Sequence, residues 1–154
     1  APDLAPGNAL VLGAGGAGRA AAAALLKAGW RVRLANRTPA AADAVAAVLD
    51  GVIAVAWDGA EGAEGASLVV NATAAAEPPP VAWGALAPGA AAMDMRYRPL
   101  RTPFLAAAAE RGLRTVDGLG MLIGQAIPSF EAFFGCPPPP CAPVRALAEA
   151  ALAR

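Results

Sequence analysis

Apolar positions along this chain fall into short unbroken runs separated by alanine-rich stretches. Residues 9–12, Ala-Leu-Val-Leu, form the first run, followed by Gly13-Ala14-Gly15-Gly16-Ala17-Gly18 and an alanine-rich segment up to Lys27. A four-residue apolar run stopped by glycine predicts a strand covered on both faces, and the segment after it predicts a helix that ends at Gly29. Residues 31–35 alternate Val32 and Leu34 with arginine, the period of a second strand. Asn36-Arg37-Thr38-Pro39 follows, with Thr38 placed as N-cap and Pro39 as the first residue of the next helix. Further on, the pattern predicts a strand over 52–57, a short glycine-punctuated helix over 59–66, a strand over 68–71 and a proline-rich loop at 77–80. After these come a strand over 90–94, a helix over 102–111 ended by Gly112, a short strand over 114–116 and a long helix over 118–134. A last helix starts at Pro143.

Strands that alternate with helices along the whole chain predict an α/β fold, a doubly wound, mainly parallel, Rossmann-like sheet of five or six strands. Residues 1–135 read as one domain. Residues 136–154 read as a proline-rich spacer and a C-terminal helix, with Val144, Leu147, Ala148, Ala151 and Leu152 on one face. That apolar stripe predicts either fraying or docking, on the chain's own sheet edge or on a second copy.

Composition removes whole classes of function. Twelve basic and twelve acidic residues cancel, so the electrostatic footprint of a nucleic-acid binder or of an anionic-membrane binder is missing. No apolar run approaches the roughly 18 to 20 residues that span a bilayer, so neither nucleic acid nor membrane is an expected partner. There is no histidine, which excludes Ser-His-Asp and Cys-His hydrolases and any His-ligated metal. Cys136 and Cys141 bracket four prolines, and a polyproline II run at about 3.1 Å per residue holds their Cα atoms roughly 15 Å apart, beyond the ~7 Å limit for a bridge. Two free thiols, no metal site and a cytoplasmic location are therefore expected. The chain opens with Ala1, not Met, and lacks a leader-like start, which reads as a trimmed or partial chain.

The spacing Gly13-x-Gly15-x-x-Gly18, after a strand and opening a helix, has a mechanical logic. The first glycine permits a tight turn, the second lets backbone approach a pyrophosphate, and the third lets helix and strand pack closely. Dinucleotide binding at the helix N-terminus is the reading, with close packing alone as the bland alternative. The end of the second strand discriminates between dinucleotides. A carboxylate there holds a ribose 2′-hydroxyl, whereas Asn36 and Arg37 suit a 2′-phosphate, so NADP is favoured unless Arg37 is merely a solvated side chain.

Five motifs in series extend the reading: residues 11–18, Asn36-Arg37-Thr38, Val70-Asn71-Ala72-Thr73, Asp94-Met95-Arg96-Tyr97-Arg98-Pro99 with Thr102-Pro103, and Gly118-Leu-Gly-Met121-Leu-Ile-Gly-Gln125. In order and spacing the chain from about Asn8 to Gly135 resembles the cofactor domain of shikimate dehydrogenase. The resemblance implies NADPH-dependent reduction of 3-dehydroshikimate to shikimate, in aromatic amino-acid biosynthesis. It also implies that the catalytic lysine and aspartate lie in an amino-terminal substrate domain that is absent here, so this chain carries no catalytic residue and is inactive alone. Lys27 matches no catalytic position and reads as a surface helix residue.

By the same resemblance, Asn36, Arg37 and Thr38 meet the adenosine 2′-phosphate, and the Gly13–Gly18 turn and Asn71, Ala72 and Thr73 flank the cofactor. Met95, Gly118 and Met121 surround the nicotinamide, and Tyr97 and Gln125 touch the substrate. Core filling is the alternative for either methionine, and a half-buried strand cap for Tyr97. Asp94 is expected to be a structural hydrogen-bonding residue. Three departures stand against the family pattern: Ala41 replaces a second basic residue, Ala74-Ala75-Ala76-Glu77 replaces small polar residues and glycine, and the amino-terminal domain is absent. A stand-alone dinucleotide module, or the cofactor half of a quinate/shikimate oxidoreductase, is the second reading.

Overall fold

A computed structural model describes residues 4–139 and 143–152. Six strands form one parallel sheet: β1 (Asn8–Leu12), β2 (Arg31–Ala35), β3 (Val52–Val55), β4 (Leu68–Asn71), β5 (Ala91–Asp94) and β6 (Arg114–Val116). Their order is β3-β2-β1-β4-β5-β6, with Leu12 opposite Ala35 on one side and Asn71 on the other. The order reverses between β1 and β4, and the crevice beyond the carboxyl ends of these two strands is where such a sheet takes a ligand.

β1 shows why the runs are apolar without alternation. Ala9 and Val11 join a core on one face with Ala22 of α1 (Gly16–Lys27) and Ala42 and Val45 of α2 (Pro39–Ala46). Leu10 and Leu12 join a second core on the other face with Phe104, Leu105 and Ala108 of α3 (Pro103–Ala109). Each fully buried leucine or phenylalanine contributes about 1.5 to 3 kcal/mol of burial, and truncating one to alanine costs about 2 to 5 kcal/mol. Trp83 closes the second core with its ring 5.2 Å from Phe104, and Arg111 stands 5.9 Å over its outer face.

The doubly wound class holds, and two element boundaries do not. The third strand stops at Val55, short of Trp57, because its neighbour β2 ends at Ala35, the partner of Val55. Past that point the Ala56 N–H donates to the Glu61 carboxylate and Asp58 turns the chain by accepting from the Ala60 N–H. The helix expected over 59–66 is a single 3-10 turn, Glu61–Ala63, since Gly59 and Gly65 take φ of +74° and +63° and interrupt any helical run.

The long helix α4 (Gly118–Phe134) begins where Asp117 accepts from the Leu119 and Gly120 N–H groups, and Gly135 ends it at φ +67°. The last helix, α5 (Val144–Leu152), packs beside α4 through Arg145, whose guanidinium lies 2.6 Å from Asp117 and 2.8 Å from Glu149. Its apolar stripe is covered only in part: Ala148 and Leu152 are half-buried, whereas Val144 and Leu147 remain exposed. Cys136 is a free, exposed thiol, and Cys141 lies outside the described residues.

Candidate functional site

The glycine turn separates its three glycines by what a side chain at each would meet. Gly13 takes φ +109°, and its N–H donates to the Ala35 carbonyl, which ties the turn to β2. A Cβ on Gly18 would run into the Gly13 carbonyl, so close packing of α1 on β1 requires this glycine. A Cβ on Gly15, the N-cap of α1, would meet nothing within 4 Å, and neither would one on Gly16. The fold therefore demands Gly13 and Gly18. Gly15 is dispensable to the fold and leaves the ground in front of the helix N-terminus open. The first turn of α1 carries no acidic residue, so the positive end of the helix dipole faces that space unopposed.

Asn36 braces this turn from the end of β2. Its Oδ1 accepts from the Ala14 N–H at 3.1 Å, and its Nδ2 donates to the Thr38 carbonyl at 3.0 Å. Thr38 is the N-cap of α2 by position, although its hydroxyl makes no capping bond. Arg37, between them, is exposed and has no ion-pair partner among the described residues. A cavity of about 460 Å³ is bounded by Gly13, Ala14 and Gly15 on one side, Arg37 and Trp57 on another, and residues 72–75 on a third. A smaller cavity of about 190 Å³ continues it past Arg37 and Trp57 to Glu77 and the proline loop.

The third wall is built on a buried polar web. Asp94, at the end of β5, is fully buried and accepts from Thr102 Oγ1 at 2.6 Å, Asn71 Nδ2 at 3.1 Å and the Arg96 N–H at 3.0 Å. Asn71 then uses its Oδ1 to accept from both the N–H and the hydroxyl of Thr73, at 3.0 and 2.8 Å. Thr102 also accepts from the Leu105 N–H as the cap of α3. The Asp94 carboxylate thus acts as a structural hydrogen-bonding hub, and Thr73 is fixed in the cavity wall through it.

Met95, Met121 and Gln125 come together elsewhere. They border an apolar groove of about 380 Å³ between α1 and α4, over Leu68, Val70 and Met93 of the sheet. Gly118 is buried against the end of β5, where a Cβ would collide with the Met95 carbonyl. Ala17 lies exposed in the first turn of α1, and Tyr97, 40% exposed, borders neither cavity. Lys27 is exposed in the last turn of α1, at the end of that helix remote from the glycine turn.

Residues 1–81 match the family model described as shikimate / quinate 5-dehydrogenase, and residues 118–152 match that of the shikimate 5′-dehydrogenase C-terminal domain. This chain belongs to the shikimate/quinate 5-dehydrogenase family. A shikimate dehydrogenase (NADP(+)) of Methylobacterium radiotolerans is 52% identical over 141 residues, covering 87% of this chain and 50% of that protein. The solved shikimate 5-dehydrogenase of Thermus thermophilus, in complex with NADP(H) and shikimate, superposes with a TM-score of 0.79 at 40% identity, over 98% of this chain and 56% of that one. The quinate dehydrogenase of Corynebacterium glutamicum in complex with NAD superposes with a TM-score of 0.79 at 31% identity, over 99% of this chain and 57% of that one. The chain spans about half the length of the curated relatives it matches.

Within this family member, Ala74 and Ala75, part of the stretch that departs from the family pattern, border the cavity, and so does Trp57, which sequence reasoning passed over. The signal was available for Trp57: an aromatic residue just past the carboxyl end of a parallel strand stands where ligand-binding loops converge. Among the described residues no group of His, Cys, Asp and Glu is arranged to hold a metal ion, and no helix is long and apolar enough to cross a membrane.

Proposed function

We propose that this chain is the NADP(H)-binding half of a shikimate dehydrogenase. The observation that carries the reading is the cavity in which an open helix N-terminus, backbone free of side chains at Gly15, and an arginine at the end of β2 without an ion-pair partner among the described residues face one another. Gly13 to Gly18 would hold the pyrophosphate, Arg37 the 2′-phosphate with Asn36 and Thr38 shaping its approach, and Asn71, Ala72 and Thr73 the opposite side. Met95, Gly118 and Met121 would border the nicotinamide, with Tyr97 and Gln125 offered to the substrate. When bound, the cofactor supplies the hydride that reduces 3-dehydroshikimate. The residues of this chain bind it, orient it and exclude water.

Proton transfer is assigned to a half of the enzyme outside this chain. Asp94 is fully buried and committed to three donors, Lys27 is remote from the cavity, and the chain has no histidine. Alone, the chain is expected to bind cofactor without turnover. Residues 1–135 are the cofactor domain, and 136–154 a spacer and helix whose exposed Val144 and Leu147 favour self-association. The free thiol of Cys136 suits a reducing, cytoplasmic setting. Likeness to a quinate dehydrogenase solved with NAD supports a second reading, in which the completed enzyme takes quinate.

Calorimetric titration with NADP(H) and NAD(H) tests the cofactor reading. A charge-assisted bond from Arg37 is worth about 1.5 to 3 kcal/mol, a preference of roughly 10- to 150-fold for NADP(H) that Arg37→Ala removes. Equal affinity for the two cofactors, or a preference untouched in the variant, overturns the assignment of Arg37.

A further inference from the structure

The cavity wall over residues 72–75 is held at two points by different means. Thr73 is fixed from within by the Asn71 and Asp94 web. Beyond it, Ala74, Ala75 and Ala76 have no polar side chain with which to hold themselves, and residues 74–77 are exposed. One bond catches this stretch: Arg96 Nη1 donates to the Ala75 carbonyl at 2.8 Å. Among the described residues no other hydrogen bond reaches 74–80. Arg96 itself has a rigid footing. Its N–H donates to Asp94 Oδ1 at 3.0 Å, and its carbonyl accepts from the Gly118 N–H at 3.2 Å, an approach that Gly118 permits by lacking a Cβ. A side chain anchored to β5 and to the start of α4 thus reaches across to a loop that follows β4.

We propose that Arg96 is a positioning residue for cofactor binding: its guanidinium holds the alanine loop in place as the wall opposite Arg37 and Trp57, so that the cavity is preformed. The proposal rests on the cofactor reading above and concerns a residue that contacts the wall, not the cofactor. A loop already held loses little freedom when a ligand arrives, whereas a released loop must be ordered at the moment of binding. The arginine thereby does what the missing hydroxyls of the 74–77 stretch cannot.

The test compares wild type, Arg96→Met and Arg96→Lys in the 154-residue chain. NADP(H) affinity is read by calorimetry, amide exchange over 74–77 by mass spectrometry, and the thermal midpoint without ligand by calorimetric scanning. Losing one net hydrogen bond corresponds to a roughly 2- to 10-fold weaker affinity. The expected result is that loss in Arg96→Met, with faster exchange confined to 74–77 and a midpoint lowered by no more than about 6 °C, and affinity within about 2-fold of wild type in Arg96→Lys, which keeps a charged donor. Affinity and exchange unchanged in Arg96→Met overturn the proposal, as does weaker affinity with exchange accelerated across the sheet as well, which marks a general structural role. Failure of the wild type itself to bind NADP(H) refutes the cofactor reading and this inference with it.

Discussion

Thr102→Val tests the buried web most directly, because valine matches threonine in shape and removes only its hydroxyl. That hydroxyl has two roles at a position with no solvent exposure: it donates to Asp94 Oδ2 at 2.6 Å and accepts from the Leu105 N–H at 3.2 Å. The lost cap costs about 1 kcal/mol, and the lost bond to a buried carboxylate about 1.5 to 3 kcal/mol more. Together these amount to about 3 kcal/mol, against total stabilities of about 5 to 15 kcal/mol for domains of this kind. At about 2 to 4 °C per kcal/mol the thermal midpoint falls by about 6 to 12 °C. Urea denaturation measures the same loss as a lower midpoint at unchanged slope. Thr102→Ser retains both bonds and is the control, expected close to wild type. A double-mutant cycle with Asp94→Asn should show coupling of at least ~1 kcal/mol, because the two residues share one bond. A loss below about 1 kcal/mol in Thr102→Val, or strict additivity in the cycle, would refute the view that Asp94 is held by its donors as a structural hub.

The glycine turn yields a contrast within three residues: Gly18→Ala should destabilise the fold by about 1 to 3 kcal/mol or more in a denaturation curve, while Gly16→Ala stays within about 0.5 kcal/mol of wild type. Gly15→Val should lower the melting midpoint by no more than about 4 °C, the cost of a poorer N-cap, yet abolish calorimetric binding of both NADP(H) and NAD(H), since its side chain meets no protein atom and enters the space assigned to pyrophosphate. The partly exposed Arg145 pair, together with the capping N–H groups, holds the Asp117 carboxyl below its ordinary value of 3.8. Since the folded-state value is the depressed one, the contribution to α5 docking is complete above that ordinary value and disappears as pH falls below it. Amide exchange over residues 147–152, corrected for intrinsic rates, should therefore be independent of pH near neutrality and accelerate in acid, with Arg145→Ala accelerating it at neutral pH and adding little in acid, where the pair is already lost.

Legibility from sequence followed the range of the interactions involved. Gly18 declares itself because the clash it avoids, with the Gly13 carbonyl, lies close by along the chain, Gly13 because the turn it makes takes a positive φ, and Asn36 and Arg37 because a strand end fixes where they stand. The structural role expected of Asp94 rests in the fold on three donors, Thr102, Asn71 and the Arg96 N–H. Arg96 was not readable as part of the site, since its significance depends on a segment far away: the wall at Ala75 lies 21 residues from it. The length of the third strand was misread for a related reason, as it ends where its partner β2 runs out of residues and not where its own apolar run does. The roles proposed for Met95, Met121, Gln125 and Tyr97 rest on family resemblance, because neither periodicity nor burial distinguishes a cavity-lining methionine from core filling.

The placement of Trp57 gives this protein a built-in optical reporter. Its three tryptophans occupy three unlike settings: Trp30 is buried in the core under α1 and α2, Trp83 lies between Phe104 and the Arg111 guanidinium, and Trp57 alone stands in the wall of the cavity. A dinucleotide entering that cavity should change the emission of one indole and leave the other two as an internal reference. Occupancy then becomes readable by light without any label, and Trp57→Phe identifies the responding chromophore by silencing it.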